Sequence, residues 1–207
     1  MLYLLIGYLA ASFGVFLLPR GLKKHKALLL SLVQVVAFVI FALRIPEITI
    51  SGFQYVVLEW IPRLGLNFEF ILDGLSMVFA LLVSGIGALV FLYAKSYMKS
   101  YEGTDKFFFY LMLFSGAMLG LVLSGNLIQL FIFWELTSFL SYFLISFFHE
   151  KESARKAAFQ SLYITGLGGL SMLAGILLLG SVVDSYSLND WLANPEAIKG
   201  SSLYLPG

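Results

Sequence analysis

One carboxylate lies inside a stretch of sequence that is otherwise apolar enough for a lipid bilayer. Residues 131–150 are FIFWELTSFLSYFLISFFHE, with an acid at Glu135. Glu135 lies about eight residues, or roughly 12 Å, from the nearer end of the predicted helix. Burying a carboxylate at such depth costs at least ~2.5–3.5 kcal/mol, so these residues usually face the protein interior and mark ion pathways. We therefore predict that Glu135 takes part in proton translocation.

Four polar residues follow Glu135 along one face of the same predicted helix, which turns by about 100° per residue. They are Ser138, Tyr142, Ser146 and His149. All of them form hydrogen bonds readily, so with water they make a candidate proton relay. The alternatives stay open: the three hydroxyl residues as ordinary contacts between helices, His149 as a solvated loop residue, and Glu135 as a structural buried acid.

The sequence offers Glu135 no cationic partner. Every Lys and Arg belongs to a predicted loop or helix end. A buried carboxylate either becomes neutral because its pKa rises or lies beside a cation. The partner of Glu135 must therefore be a proton, a metal ion, or a residue on a helix outside this sequence.

The composition indicates a membrane protein. Of 207 residues, 60% are hydrophobic and 12% charged, and the mean hydropathy is +0.92; soluble domains average about 25% charged residues. The net charge of +1 and the lack of a basic stripe argue against a nucleic-acid partner. Since the sequence has no cysteine, it cannot form disulfides or thiolate metal sites. We predict no metal and no cofactor.

Six stretches are long and apolar enough to be predicted as membrane-spanning helices. They are residues 2–19, 27–45, 71–94, 106–123, 127–148 and 156–182. The loops after the first, third and fifth stretches carry 10 of the 13 Lys and Arg residues. By the positive-inside rule these loops are cytoplasmic, and both ends of the chain are outside.

The segment between the second and third stretches predicts a short β-hairpin on the outer surface. Two β-like runs, YVVLEW and LNFEF, are separated by residues 61–65 with Pro62 and Gly65. Asp73 then precedes the third stretch, where we expect it to cap the helix, with an ion ligand as the alternative. Small residues at four-residue spacing, Ser161 and Thr165 among them, predict close helix packing, with an ion path as the alternative role for these two.

The predicted organisation is all-α and membrane-embedded, with five parts along the chain. Residues 1–45 form a helix hairpin, 46–70 the extracellular β-hairpin loop, 71–105 the third span and a cytoplasmic loop, 106–183 three further helices, and 184–207 an extracellular tail. The polar tail ends without a stop signature. We therefore expect the sequence to be a truncated part of a larger membrane protein.

Two blocks of the sequence resemble a known superfamily. FILDGLSMVFALLVSGIGALVFLYAKSYM and FFFYLMLFSGAMLGLVLSGNLIQLFIFWELTSFLSYFLISFF are similar to the proton-translocating membrane subunits related to respiratory complex I. Within that superfamily the sequence resembles the N-terminal part of the A-type subunits of the multisubunit Mrp Na⁺/H⁺ antiporters. Gly166 and Gly169 replace an arginine and an aspartate of the complex I relative, which favours the Mrp type.

The resemblance implies a larger fold of about fourteen helices with two inverted repeats. Residues 106–183 would be the first three helices of the first repeat. The family's fifth-helix glutamate matches Glu135, and its partner is a lysine on a broken helix that would lie beyond Gly207. Glu135 would then alternate between an ion pair with that lysine and a state in which the pair is broken.

The resemblance therefore implies a membrane subunit of a multisubunit monovalent cation/proton antiporter in the plasma membrane. Such a subunit is a transporter component rather than an enzyme. Its expected partners are other membrane subunits of a hetero-oligomeric complex, the missing C-terminal part of the same subunit, the lipid bilayer, and transported H⁺ and Na⁺. Two alternatives remain: the proton-pumping arm of a complex I-like oxidoreductase or membrane-bound hydrogenase, and a structural membrane scaffold.

Overall fold

The computed structural model describes residues 1–19, 22, 25–61 and 66–201. Three sequence predictions fall outside these residues. They concern the basic loop residues Arg20, Lys23 and Lys24, the hairpin turn at 62–65, and the end of the tail at 202–207.

Most of the described elements are helices. The helices are α1 (Leu2–Leu17), α2 (Lys26–Leu43), α3 (Ile45–Ser51), α4 (Gly74–Tyr97), α5 (Thr104–Val122), α6 (Leu127–Ile145), α7 (Glu152–Val183), α8 (Leu188–Ala193) and α9 (Pro195–Lys199). Two strands, β1 (Phe53–Ile61) and β2 (Leu66–Asp73), lie between α3 and α4.

Five segments in the described part of the chain are long and apolar enough to cross a membrane. They are Lys26–Ser51, Gly74–Ser100, Thr104–Val122, Leu127–Phe148 and Glu152–Val183. The remaining predicted stretch, residues 2–19, forms α1, an apolar helix of 16 residues. At 1.5 Å per residue α1 measures roughly 24 Å, less than the ~30 Å hydrocarbon layer. The predicted all-α membrane architecture with a short hairpin is confirmed, with five candidate spans in the described part of the chain where six were predicted.

The hairpin is antiparallel, with Phe53 opposite Asp73 and Ile61 opposite Leu66. Its second strand reaches further than the sequence predicted. Residues 71–73 remain in the strand, and the backbone N–H of Ile71 donates to the Leu123 carbonyl at 2.9 Å. The third membrane helix therefore begins at Gly74 rather than at residue 71.

Asp73 caps the start of α4. Its carboxylate accepts hydrogen bonds from the Ser76 backbone N–H and hydroxyl, each at 2.8 Å. The Ser76 hydroxyl oxygen in turn accepts from the Asp73 backbone N–H at 2.7 Å. This reciprocal capping box satisfies backbone donors that the first helical turn leaves free.

The core lies mainly between the hairpin and the first four membrane helices. α2 packs along α4, α5 packs against α1, α4 and α6, and α7 packs on α6. The largest fully buried apolar side chains include Tyr8, Phe41, Phe70, Phe91 and Met112. Few side chains of α6 and α7 are buried, so these two helices form the open side of the bundle.

An ion pair joins the first turns of two helices at the lysine-rich end of the bundle. Lys26 at the start of α2 binds Asp105 at the start of α5 and donates to the Thr104 hydroxyl at 2.6 Å. Both helices therefore begin at the same end of the molecule. The hairpin lies at the opposite end, because α2 leads into it and α4 leads away from it.

The connection between α5 and α6 lies between the hairpin and the chain that follows α7. The Gly125 N–H donates to the Glu69 carbonyl of β2 at 2.7 Å. On the other side, the Leu188 N–H donates to the Gly125 carbonyl at 2.8 Å, and the Leu127 N–H donates to the Tyr186 carbonyl at 2.9 Å. These bonds hold the first turn of α6 between two segments distant in sequence.

Candidate functional site

The candidate site is built around Glu135 in the interior of α6. That helix is capped by Asn126, whose side-chain oxygen accepts from the backbone N–H groups of Ile128 and Gln129 at 3.0 and 3.3 Å. One Glu135 oxygen, Oε1, is buried and has no hydrogen-bond partner among the described residues. A carboxylate oxygen in that state requires a proton, water or a cation to offset its lost hydration.

Gly169 on α7 provides the space that Glu135 occupies. A Cβ atom built at Gly169 would overlap Glu135 Oε1 and would lie 3.0 Å from the carboxyl carbon. It would also lie 3.7 Å from the Trp134 ring. Gly169 continues the four-residue spacing of Ser161 and Thr165 that predicted close helix packing, and its closest contact is to the carboxyl group itself. Any residue other than glycine at position 169 would displace the Glu135 carboxylate.

The first two predicted relay residues do not bond directly to Glu135. Ser138 is buried, and its hydroxyl donates to the Trp134 carbonyl one turn back at 3.2 Å. Tyr142 is half-buried, and its ring packs edge-to-face on Phe159 with centroids 5.5 Å apart. These contacts fit helix packing, and a relay through these side chains would require water or a change of rotamer.

The last two predicted relay residues lie beyond the regular part of α6. The chain changes to a 3₁₀ turn at Ser146–Phe148, so the rotation of about 100° per residue no longer applies there. The Ser146 hydroxyl donates to the Phe143 carbonyl at 3.3 Å. His149 is exposed and lies with Ser146 in the wall of an open cleft of ≈ 710 Å³ at the lysine-rich end.

The two hydroxyl residues proposed for an ion path lie on α7. The Thr165 hydroxyl donates to the Ser161 carbonyl at 2.9 Å, and both side chains are half-buried. Backbone acceptors on the same helix therefore satisfy Thr165. Among the described residues, Glu135, Gly169 and Trp134 come together, whereas Ser146 and His149 belong to the separate cleft.

Sequence reasoning missed several buried polar groups, including Glu69 and Gln34. Glu69 in β2 is 5% exposed, although the alternation of LNFEF predicts a solvated polar face. Gln34 in α2 is fully buried and accepts a hydrogen bond from the Tyr8 hydroxyl at 2.6 Å. Gln34 could have been found as the one amide side chain in the predicted stretch 27–45. The burial of Glu69 depends on segments far away in sequence and has no local signal.

Two family models match the chain. One, described as NADH-Ubiquinone oxidoreductase (complex I), chain 5 N-terminus, matches residues 60–108. The other, described as NADH:quinone oxidoreductase/Mrp antiporter, TM, matches residues 124–203 and so includes Glu135 and Gly169.

Curated relatives are similar over most of the chain. The A1 subunit of an Na(+)/H(+) antiporter from Staphylococcus haemolyticus is 46% identical over 91% of this chain and 24% of its own length. The A/B subunit of a probable K(+)/H(+) antiporter from Rhizobium meliloti is 42% identical over 83% of this chain and 17% of its own length. The chain thus spans about a quarter or less of these relatives.

Solved structures agree with the fold. The Mrp complex from Dietzia sp. DQ12-45-1b superposes with a TM-score of 0.76 at 29% identity, over 93% of this chain and 22% of that one. An archaeal membrane-bound sulfane sulfur reductase superposes with a TM-score of 0.77 over 94% of this chain and 40% of that one. At 18% identity the second likeness concerns the fold alone.

The apolar helices and the structural neighbours indicate a multi-pass membrane protein with an antiporter-like fold. Residues 124–203, which hold Glu135 and Gly169, match the NADH:quinone oxidoreductase/Mrp antiporter family. The chain is similar to the A-type subunits of the Na⁺/H⁺ antiporters, as the sequence predicted.

Proposed function

We propose that this chain is part of a membrane subunit of a multisubunit monovalent cation/proton antiporter, in which Glu135 binds and releases transported protons. The observation that carries the proposal is the buried Glu135 Oε1, which has no hydrogen-bond partner in the described part of the chain. The names of the similar curated proteins support cation/proton antiport as the activity.

The chemistry of the site is electrostatic. Moving a cation toward Glu135 favours the ionised carboxylate, and moving the cation away favours the protonated acid. A lysine on a helix outside the present sequence is the proposed cation, as the family resemblance implies. Proton uptake and release at Glu135 would then follow the position of that lysine, and Ser138 and Tyr142 would take part through water.

The proposed location is the plasma membrane, with the lysine-rich end of the helices in the cytoplasm. Lys26, Lys95, Lys99, Lys106 and Lys151 belong to that end. The hairpin would then face the outside. Anionic lipids and the positive-inside rule favour this orientation.

The alternative is a proton-pumping arm of an oxidoreductase. One matching family model carries the name of a complex I chain, which favours this second function. Such a complex needs redox subunits with iron–sulfur clusters, and this cysteine-free chain cannot supply their thiolate ligands. Identification of the subunits that copurify with the full-length protein separates the two functions.

The proposed function is tested by transport in inverted membrane vesicles that contain the complete complex. The wild type is compared with Glu135→Gln and with Glu150→Gln, which changes an exposed acid near the end of the same helix. We expect added Na⁺ or K⁺ to dissipate the pH gradient in the wild type and in Glu150→Gln but not in Glu135→Gln. Equal antiport in all three, at equal assembly, would favour a structural scaffold.

A further inference from the structure

A second buried acid lies at the hairpin end of α6. Glu69 in β2 is 5% exposed, and its carboxylate accepts a hydrogen bond from the Tyr55 hydroxyl at 2.5 Å. The Tyr55 hydroxyl oxygen also lies 3.3 Å from the Ser187 hydroxyl oxygen. Among the described residues, no Lys or Arg forms an ion pair with Glu69. Like Glu135, this carboxylate is removed from water without a cation beside it.

Two buried amides lie at the start of α6, where Gln129 and the preceding Gly125 contact the backbone of Glu69. Asn126 and Gln129 are 1% and 3% exposed. The Gln129 side-chain oxygen accepts from the Glu69 backbone N–H at 2.8 Å, and the Asn126 side-chain oxygen caps α6. Because both oxygens are used, both amide NH₂ groups are fixed as donors. Neither nitrogen has a hydrogen-bond partner in the described part of the chain.

The chemistry of this cluster selects water rather than a metal ion. Amide N–H groups donate hydrogen bonds and cannot ligate a cation. A water oxygen accepts from two such donors, and a water hydrogen donates to a carboxylate, which gives the three bonds typical of buried water. Tyr55 and Asp190 are the other titratable groups near the cluster, and the charge of Asp190 acts on Tyr55.

We propose that Tyr55, Glu69, Asn126, Gln129 and Ser187 form a water-binding site in which Glu69 exchanges protons with the hairpin side of the membrane. In this step a hydronium ion gives its proton to the Glu69 carboxylate and leaves as water, and the reverse step restores the carboxylate. The proposal rests on the proposed function. Glu69 contacts Gln129 on α6, and Gln129 and Glu135 are six residues apart on that helix, a rise of roughly 9 Å. Helix α6 therefore connects the two acids.

A purely structural role for Glu69 makes a different prediction. Gln at this position keeps a side-chain oxygen that accepts the Tyr55 hydrogen bond, and it also keeps the backbone N–H that donates to Gln129. If Glu69 only holds the hairpin against α6, Glu69→Gln leaves transport intact. If Glu69 exchanges protons, the same variant loses transport although the hairpin remains in place.

The test uses the complete complex in proteoliposomes and compares Glu69→Gln with Glu59→Gln, an exposed acid on the same hairpin. At equal assembly we expect Glu69→Gln to reduce the antiport rate at least about tenfold and Glu59→Gln to leave it within about twofold. A rate for Glu69→Gln within about twofold of the wild type overturns the proposal. Glu135→Gln is measured in parallel, because its transport activity reports on the proposed function separately.

A second measurement does not depend on how the variant folds. A cryo-electron microscopy map of the wild-type complex, at a resolution that shows ordered water, is inspected beside Asn126 Nδ2 and Gln129 Nε2. We expect water density within hydrogen-bond distance of both nitrogens and of the Glu69 carboxylate. If protein atoms occupy that position, the proposal is wrong.

Discussion

Glu135 on α6 and Gly169 on α7 lie so close that a Cβ atom at Gly169 would overlap the carboxylate oxygen. The contact joins the only acid predicted in the interior of a span to a glycine on the neighbouring helix. The missing side chain at Gly169 leaves room for the Glu135 carboxylate at this level. The contact also makes the packing of the two helices part of how Glu135 is held.

The first prediction concerns this contact. Gly169→Ala should displace the Glu135 carboxylate and reduce antiport strongly, because the added methyl group and Oε1 cannot occupy the same space. Gly166→Ala is the matched control on the same helix, since a Cβ there meets nothing within 4 Å. It should transport normally and stabilise α7 by up to about 1 kcal/mol. Equal antiport in both variants would show that the position of Glu135 is not critical.

The second prediction concerns Asp73. Asp73→Ala should lower the thermal stability of the solubilised complex by about 0.5–2 kcal/mol, because the cap of α4 is lost. Asp73→Asn should preserve both stability and transport, since Asn accepts the same hydrogen bonds from Ser76. A loss of transport in Asp73→Asn at normal stability would instead identify Asp73 as an ion ligand.

The third prediction concerns the buried pair between α1 and α2. Tyr8→Phe should destabilise the protein by roughly 1 kcal/mol, because Gln34 Oε1 loses its donor within the bundle. The double variant Tyr8→Phe/Gln34→Leu removes both polar groups and should recover part of that loss. Thermal denaturation of the wild type, both single variants and the double variant gives the coupling energy. Additive effects would mean that the hydrogen bond contributes nothing.

The fourth prediction concerns pH. Burial, and then the hydrogen bond to Glu69, raise the pKa of Tyr55 to about 12. Since the folded-state pKa is above the unfolded value of 10.0, the contribution of neutral Tyr55 to stability is complete below pH 10.0 and is lost as the pH rises through about 12. The difference between tyrosinate titrations of the wild type and Tyr55→Phe should therefore have its midpoint near pH 12. A midpoint near 10 would place Tyr55 in a solvated environment.

Much of the fold could be predicted from the sequence because it depends on local patterns. Long apolar runs predicted the membrane helices, and the alternating runs YVVLEW and LNFEF predicted the hairpin. The predicted end of β2 was wrong by three residues, because Ile71 pairs with Leu123, about fifty residues later. Pairing between distant segments leaves no local pattern.

The candidate site was predictable only in part. Glu135 is conspicuous as an acid in an apolar stretch, and the structure buries one of its carboxylate oxygens. Its role in proton translocation stays a prediction. Glu69 alternates with Phe68 and Phe70 as an ordinary surface residue of a strand would. Its burial requires the connection at Gly125 and the chain at Ser187 to pack on the hairpin, which only the folded structure reveals.

The central claim is that Glu135 gains and loses a proton during transport. Infrared difference spectroscopy of the complete complex, recorded between acidic and alkaline buffer, observes the C=O stretch of protonated carboxyl groups directly. We predict a band in the wild type and in Glu150→Gln that is absent in Glu135→Gln. Identical difference spectra for the wild type and Glu135→Gln would mean that Glu135 does not change protonation, which would contradict its role in proton translocation.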